Sequence, residues 1–268
     1  MATDDTLPRG VDPNTPNVAR MYDYALGGKD NFAVDRQVME QVYAVVPYGP
    51  RPAFENRRFL GRAVRYLAQQ GIAQFLDIGS GLPTMGNVHE IAQAVNPEAR
   101  VAYVDYDPVA IAHSRALLVH NPSSAAIQAD MRRPKDILTN PEVVGLLDFT
   151  QPMALLFVSM LHLLHDAEDP AGIVAQFREA MAPGSYLVLS HITSEEQPAE
   201  VITALVEVFK QAREPMVPRS RQEILRFFEG FEVIDPGLVK APYWRPDANE
   251  PRDERPTGLI LGGVGYKR

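Results

Sequence analysis

Cysteine is absent from the sequence, and its absence excludes several kinds of chemistry. Without thiols the chain cannot form disulfides, hold zinc through thiolates or attack a substrate through sulfur. A chain without cysteine also fits a reducing compartment, so we expect a cytoplasmic protein.

An excess of basic residues is lacking as well. Lys and Arg number 26 against 34 Asp and Glu, which gives a formal net charge of −8. A domain that holds a nucleic-acid backbone is usually basic, with Lys and Arg clustered on one face. No such cluster occurs here, and we expect no nucleic-acid partner.

Long apolar runs are missing too. The longest nearly apolar stretch, residues 152–164, is too short to cross a bilayer as a helix. Residues 1–11 lack the apolar centre of a signal peptide. The sequence therefore predicts no membrane association.

The first 72 residues have the periodicity of helices. Apolar residues recur at i, i+3, i+4, i+7 and i+8 from Val18 to Leu26, which predicts a first helix. Thr15 is its predicted N-cap, and Gly27 is expected to end it. Two more helices follow, and prolines at residues 47–52 predict a break between them. We interpret residues 1–72 as a helical extension.

From residue 73 onwards, strand and helix patterns alternate. The predicted strands are 74–78, 100–105, 125–129, 153–159, 186–191, 231–234 and 258–266. The predicted helices between them are 88–95, 109–119, 171–181, 199–212 and 221–228. This order favours an α/β fold with a seven-stranded, mainly parallel Rossmann-like sheet. The last two strands have no helix between them and are expected to form an antiparallel hairpin at one edge. The polar, proline-rich residues 242–256 are predicted to form a loop.

The sharpest motif is FLDIGSGLP, residues 75–83, in which a buried strand ends in a glycine turn. Gly79 and Gly81 let backbone N–H groups approach a ligand. The third glycine of a dinucleotide fingerprint is missing, because Thr84 stands in its place. Asp77 ends the strand, and a buried carboxylate is costly unless a cationic group compensates it. The motif therefore favours a ligand with an ammonium group over one with a pyrophosphate.

Acidic residues end the next two strands as well. Asp105 is placed to accept the two hydroxyls of a ribose. Asp130 could accept from an adenine amino group, with Met131 beside the ring. Because ligands of open α/β sheets lie outside the carboxyl ends of the strands, these acids predict one shared site.

The motifs FLDIGSG, VAYVDYDP, AIQAD, MAPGSYLVLS and GFEVI occur in the order in which class I S-adenosylmethionine-dependent methyltransferases carry them. The N-terminal stretch NVARMYDYALGGKDNF, residues 17–32, is more particular and resembles the signature of the actinobacterial DUF574 group. NRRFL at 56–60 and LPT at 82–84 extend this resemblance to nearly the whole chain. The resemblance implies a class I methyltransferase sheet, residues 73–268, with S-adenosyl-L-methionine as cofactor.

The resemblance also implies roles for individual residues. Asp77, with the turn formed by Gly79, Ser80 and Gly81, would hold the methionine part, and Asp105 would hold the ribose. The residues implied at the adenine and at the closing edge of the pocket are Tyr106, Asp130, Met131 and Ser159. We further hypothesise that residues 1–72 form a lid, with Tyr22 and Gly28 near the ligand.

Histidine supplies the remaining candidates. His162 and His191 each lie at the carboxyl end of a predicted strand and are weak candidates for a general base. His162 and His165 are three residues apart, but no third metal ligand accompanies them, so we expect no metal site.

The sequence thus predicts a methyltransferase that acts on a small-molecule acceptor. The acceptor is expected between the N-terminal helices, the turn after Ser159 and the loop at 236–257. A cofactor-binding sensor without catalysis is an alternative, and an NAD-dependent oxidoreductase is a further one. The proline-rich stretches at 47–52 and 242–256 are the first places expected to set acceptor specificity.

Overall fold

In the computed structural model, residues 12–46, 48–84, 86–195, 197–248 and 255–268 are described, and within them eight strands form one sheet. The strands are β1 Gln74–Ile78, β2 Arg100–Asp105, β3 Ser124–Gln128, β4 Ala154–Val158, β5 Tyr186–Ile192, β6 Glu232–Val233, β7 Val239–Lys240 and β8 Ile260–Tyr266. Their order is β3-β2-β1-β4-β5-β8-β6, and β7 also pairs with β8. The first five strands are parallel, and β8 is antiparallel to β5, β6 and β7.

The helices precede the sheet and then alternate with its strands. They are α1 Val18–Ala25, α2 Ala33–Val45, α3 Arg51–Gln69, α4 Val88–Val95, α5 Pro108–Leu117, α6 Pro134–Leu138, α7 Pro141–Leu146, α8 Pro170–Ala180, α9 Ala199–Phe209 and α10 Arg221–Arg226. The mainly parallel α/β sheet is confirmed. No helix of the described residues is long and apolar enough to cross a membrane.

One edge of the sheet was predicted correctly in outline. The last two predicted strands, β6 and β8, pair antiparallel at this edge, with β8 between β5 and β6. Its sequence ILGGVGY is apolar throughout, which is typical of a strand covered on both faces. The two-residue strand β7 and the short helices α6 and α7 were not predicted.

The N-cap of α1 was also misplaced. Asn17, not Thr15, caps the helix: its side-chain oxygen accepts the N–H groups of Ala19 and Arg20 at 2.9 and 3.2 Å. The hydroxyl of Thr15 instead donates to Asp12. Gly27 follows the helix at a φ of 80°, as predicted for its end. The predicted break at Pro47 lies outside the described residues, and α2 ends at Val45.

The N-terminal helices share a hydrophobic core with the sheet. Met21, Val38 and Leu67 from α1, α2 and α3 belong to one buried cluster with Phe75 and Val188 of β1 and β5. α3 also packs closely on β8, where a Cβ on Gly262 would overlap the ring of Phe59. This packing holds α1 and α2 over the carboxyl ends of the strands.

Candidate functional site

A large cavity lies at the carboxyl ends of β1, β2, β3 and β4, where the sequence predicts the ligand. Its other walls come from α1, α2, the first turns of α3, α9 and residues 214–216. The cavity volume open to the centre of a water molecule is about 210 Å³. A single bound water requires roughly 10–15 Å³ of such volume, so the cavity has room for an organic ligand.

Most of the predicted site residues are brought together here. The cavity is lined by Tyr22, Asp77, Gly79, Ser80, Gly81, Asp105, Tyr106, Asp130, Met131, Ser159 and His162. Gly28 and His191 are not among its lining residues. These eleven predicted residues come from five separate segments of the chain and meet at one place.

Asp77, at the end of β1, is a buried acid that faces this cavity. Burial raises the pKa of its carboxyl to about 7, the positive charge of Arg57 lowers it, and Asp105 raises it further. No hydrogen bond from a described residue reaches the carboxylate. The site therefore holds a buried acid whose ionised form is only partly compensated, by the charge of Arg57.

Asp105, at the end of β2, is buried but better supported. Its two carboxylate oxygens accept the N–H groups of Gly81 and Asp107 at 2.8 and 2.9 Å. Burial raises the pKa of Asp105 to about 6, although these hydrogen bonds lower it. The bond from Gly81 ties the glycine turn to the second strand end.

The turn after β1 depends on its first glycine. Gly79 has a φ of 72°, and a Cβ on it would overlap the side chain of Met160. Its N–H donates to the carbonyl of Val104 at 2.7 Å. The buried hydroxyl of Ser80 beside it has no hydrogen-bond partner among the described residues.

Asp130 differs from the other two acids because it is already paired. Arg132 donates to both of its carboxylate oxygens at 2.9 Å and also reaches Glu168 at 3.4 Å. Burial alone would raise the pKa of Asp130, but the hydrogen bonds from Arg132 hold it below its usual value.

Glu214 is a cavity residue that the sequence did not predict. The hydroxyl of Tyr106 donates to one of its carboxylate oxygens, and the guanidinium of Arg213 lies 5.2 Å from the centre of the Tyr106 ring. The other oxygen of Glu214 is buried without a partner among the described residues. Burial raises the pKa of Glu214. The segment after α9 thus reaches across to the end of β2.

A chain of hydrogen bonds joins the end of β4 to α1. The N–H of Ser159 donates to the Ser190 hydroxyl at 2.9 Å, which donates to the side-chain oxygen of Asn56 at 2.6 Å. The Asn56 amide donates to the Tyr22 hydroxyl at 2.9 Å, and that hydroxyl donates to the carbonyl of Ala53 at 3.1 Å. The cavity wall formed by the N-terminal helices is therefore fixed to the strand end.

Ser159 itself has an unusual backbone. Its φ is 59°, in the left-handed region that non-glycine residues rarely adopt. Its buried hydroxyl has no hydrogen-bond partner among the described residues. A strained residue with an unsatisfied polar group is typical of a ligand site.

Gly28 has a structural role in the turn that follows α1. A Cβ there would overlap the carboxylate of Asp23, and the N–H of Gly28 donates to the Asp23 carbonyl at 2.8 Å. Asp23 also accepts from the backbone of Asp30 and the side chain of Asn31. These contacts make Gly28 part of a tight turn between α1 and α2, and its contact with a ligand stays a prediction.

The two histidines are buried, and both have a lowered pKa. Burial and the charge of Arg219 lower the pKa of His162 to about 3, and its Nδ1 accepts the N–H of Ile192 at 3.3 Å. The Nδ1 of His191 donates to the Ile192 carbonyl at 2.7 Å, and its Nε2 accepts from Arg219 at 3.1 Å. His191 is therefore engaged on both nitrogens. Among the described residues, no group of three His, Asp or Glu side chains could hold a metal ion.

Comparison with known proteins relates this cavity to one family. A family model described as S-adenosyl methyltransferase matches residues 4–268. A methyltransferase candidate from Thermobifida fusca YX is 42% identical, with a TM-score of 0.91 over 98% of this chain and 99% of that one. A DUF574 family protein from Streptomyces avermitilis MA-4680 is 39% identical, with a TM-score of 0.91 over 96% and 99%.

More distant structures share only the fold. An O-methyltransferase family protein from Burkholderia thailandensis is 13% identical, with a TM-score of 0.51 over 81% of this chain and 59% of that one. Among curated protein sequences, none matches the chain.

Proposed function

The chain belongs to the S-adenosyl methyltransferase family, with S-adenosyl-L-methionine as its cofactor, and we propose that it methylates a small molecule held in the cavity. The observation that carries this proposal is the continuity of the cavity. It connects the acidic strand ends with the space beneath α1 and α2, so both reactants could be enclosed together.

The residues at the strand ends fit the cofactor. Asp77 offers a buried carboxylate that Arg57 compensates only in part, which suits a cationic ammonium group. Ser80 and Ser159 offer buried hydroxyls without partners among the described residues. In this proposal Asp77 and the glycine turn hold the methionine part, and Asp105 holds the ribose.

The adenine would lie near Tyr106, Asp130 and Met131. The contact between Tyr106 and Glu214 would close this end of the cavity. Residues 1–72 would act as a lid on the domain of residues 73–268, because α1 and α2 cover the strand ends and Tyr22 lines the cavity.

Bound S-adenosylmethionine supplies an electrophilic methyl group on a positively charged sulfur. The protein's own task is to orient the acceptor at near-attack distance and to exclude water. His162 is a poor general base, because a group with a pKa of about 3 has little affinity for a proton near neutral pH. With Nδ1 accepting from Ile192, its neutral ring carries the proton on Nε2. We infer that transfer depends on positioning rather than on proton abstraction by this residue.

The walls of the cavity differ in part from those expected around the acceptor. None of the described residues in the 236–257 loop lines the cavity, whereas residues of α9, Glu214 and Met216 do. Trp244 from this loop is fully buried against Phe59 and Tyr66 of α3, and Arg62 donates to its carbonyl. The other proline-rich stretch does contribute, since Pro50 and Pro52 line the cavity.

A transfer assay tests the proposed function. The protein is incubated with methyl-labelled S-adenosylmethionine and with cell extract separated into small-molecule, nucleic-acid and protein fractions. We expect label in the small-molecule fraction, because the acceptor site is an enclosed cavity. Label in a macromolecular fraction would contradict a small acceptor, and tight cofactor binding without label in any fraction would favour the sensor.

Cofactor affinity should depend on pH. Asp77 must be ionised to pair with an ammonium group, so binding lowers its pKa below about 7 and releases a proton. We expect the affinity for S-adenosylhomocysteine to be constant just above pH 7 and to fall about tenfold per pH unit between about pH 7 and pH 6. Below about pH 6 the fall should steepen, because Asp105 begins to titrate. Calorimetry in buffers of different ionisation enthalpy counts the protons, and a flat profile would contradict the role of Asp77.

A further inference from the structure

The cavity has two ends of opposite chemical character. Its charged lining residues come from α3, the strand-end loops and the segment after α9: Arg57, Asp77, Asp105, Asp130, Arg132 and Glu214. By contrast, the described lining residues on α1, α2 and α9 carry no formal charge. We call the space next to these three helices the apolar chamber, defined by Met21, Ala25, Met39, Val42, Leu205 and Phe209.

Electrostatics limit what the apolar chamber can hold. A charged group moved into it would lose its hydration, and no lining residue on α1, α2 or α9 offers an opposite charge. The acids and cations that line the cavity all belong to α3, the strand ends and the segment after α9. There Asp130 is already paired with Arg132, and Glu214 with the Tyr106 hydroxyl.

The side chains that line the chamber favour an aromatic molecule. Met21 and Met39 contribute thioethers, which adapt to irregular shapes and make favourable contacts with aromatic rings. Phe209 and Tyr43 contribute ring surfaces. The tyrosine hydroxyls are neutral, and burial raises the pKa of Tyr43 to about 12.

We propose that the methyl acceptor is an uncharged, mostly apolar organic molecule with a planar ring, seated in the apolar chamber. This inference rests on the proposed function, because the chamber opens directly onto the strand ends where the cofactor would lie. The acceptor's polar atom would point towards those strand ends, and the rest of the molecule towards α1, α2 and α9.

Three naphthalene derivatives of nearly equal size test the charge preference. 2-Naphthol is neutral near pH 7, 2-naphthoate is an anion and 2-naphthylmethylammonium is a cation. Each is titrated calorimetrically into the full-length protein, with and without saturating S-adenosylhomocysteine. We expect 2-naphthol to bind at least about tenfold more tightly than either ion, because desolvating a full charge costs far more than desolvating a neutral hydroxyl. Tighter or equal binding of an ion, or no binding by any of the three, would overturn the inference.

A pair of variants tests the location. Ala25 is buried in the cavity wall on α1, so Ala25→Leu should fill part of the apolar chamber and weaken 2-naphthol binding about fivefold or more. Ala44 is an exposed residue of α2 outside the lining, and Ala44→Leu should change nothing. If both variants bind 2-naphthol as the parent does, the ligand lies elsewhere and the inference fails.

The titrations distinguish a failure of the proposed methyltransferase function from a failure of the inference about the acceptor. Failure of S-adenosylhomocysteine to bind would defeat the proposed function, while the ranking of the naphthalene series in the protein alone would still decide the character of the chamber. Binding of S-adenosylhomocysteine together with a preference for 2-naphthoate would leave the methyltransferase proposal standing and defeat only the apolar acceptor.

Discussion

Asp77→Asn is expected to weaken the binding of S-adenosylmethionine and S-adenosylhomocysteine about 100-fold. Removing one charge from a desolvated pair commonly costs about 2–5 kcal/mol, and the ligand's ammonium group would lose its partner. The ligand-free variant should melt at or above the temperature of the parent near pH 8, because burial already makes the ionised carboxylate unfavourable. Calorimetry gives the affinity and differential scanning gives the melting temperature.

Asp107→Asn is the matched control. Asp107 lies two residues after Asp105, the last residue of β2. Its side chain caps α5 and accepts the N–H of Val109 at 2.8 Å. Asn is as good an N-cap as Asp, so both stability and cofactor affinity should stay close to those of the parent. An Asp77→Asn variant that bound S-adenosylhomocysteine as tightly as this control would show that Asp77 holds no cationic group.

A second substitution of Asp77 distinguishes the methyltransferase hypothesis from the oxidoreductase hypothesis. A dinucleotide-binding strand normally has an apolar residue there, so an NAD-binding protein would tolerate Asp77→Leu. In the methyltransferase, Asp77→Leu should abolish the thermal shift caused by S-adenosylhomocysteine. A thermal shift with NAD in the parent protein, and none with S-adenosylhomocysteine, would favour the oxidoreductase.

The sequence was most informative where strands are buried on both faces. β1 and β2 were predicted to the residue, because their apolar runs end in acids that mark the carboxyl edge of the sheet. Those same acids located the site, since parallel strands bring their ends together. Boundaries were less accurate at β4 and β8, because Met153 and Leu259, the residues just before these strands, are also apolar and the pattern does not change where the strand begins.

The rest of the site depends on contacts between distant parts of the chain. Glu214 meets Tyr106 across 108 positions, and Ser190 meets Asn56 across 134. Neither contact can be predicted from the local sequence pattern. Glu214 lies in an irregular segment, and Ser190 and Asn56 look like ordinary residues of a strand and a helix. The tight turn around Asp23, to which Gly28 belongs, is a further contact that the sequence pattern did not reveal.

The N-terminal helices are more firmly attached than a simple lid would require. Arg20 and Asp35 form an ion pair of 2.8 Å between α1 and α2, with side chains only 4% and 0% exposed. Asp35 also accepts the N–H groups of Asn17 and Phe32 at 2.9 and 2.8 Å. The guanidinium of Arg20 donates to the carbonyl of Thr15 and lies 4.7 Å from the centre of the Phe32 ring. The wall of the apolar chamber is thus held by one buried charge cluster.

Arg20→Met should therefore cost about 3–5 kcal/mol of stability, because it leaves the Asp35 carboxylate buried without its partner. For a chain of this size, a loss of that order lowers the melting temperature by roughly 6–20 °C. Since the ion pair joins only α1 and α2, hydrogen exchange should speed up first in these two helices while β1, β2 and β4 stay protected. Calorimetry and peptide-resolved hydrogen exchange measure the two effects.

Adding Asp35→Asn to Arg20→Met gives the decisive comparison. The double variant removes the unpaired charge and keeps a side-chain oxygen for one of the backbone N–H groups of Asn17 and Phe32, while its amide NH2 group faces the other, so it should regain part of the lost stability. If it were as unstable as the single variant, the loss would come from packing of the Arg20 side chain against Phe32 rather than from the buried charge.

In the Arg20→Met variant, loosening of α1 and α2 should also weaken 2-naphthol binding more than S-adenosylhomocysteine binding. These two helices form the apolar chamber, whereas the acids of β1 and β2 stay in place.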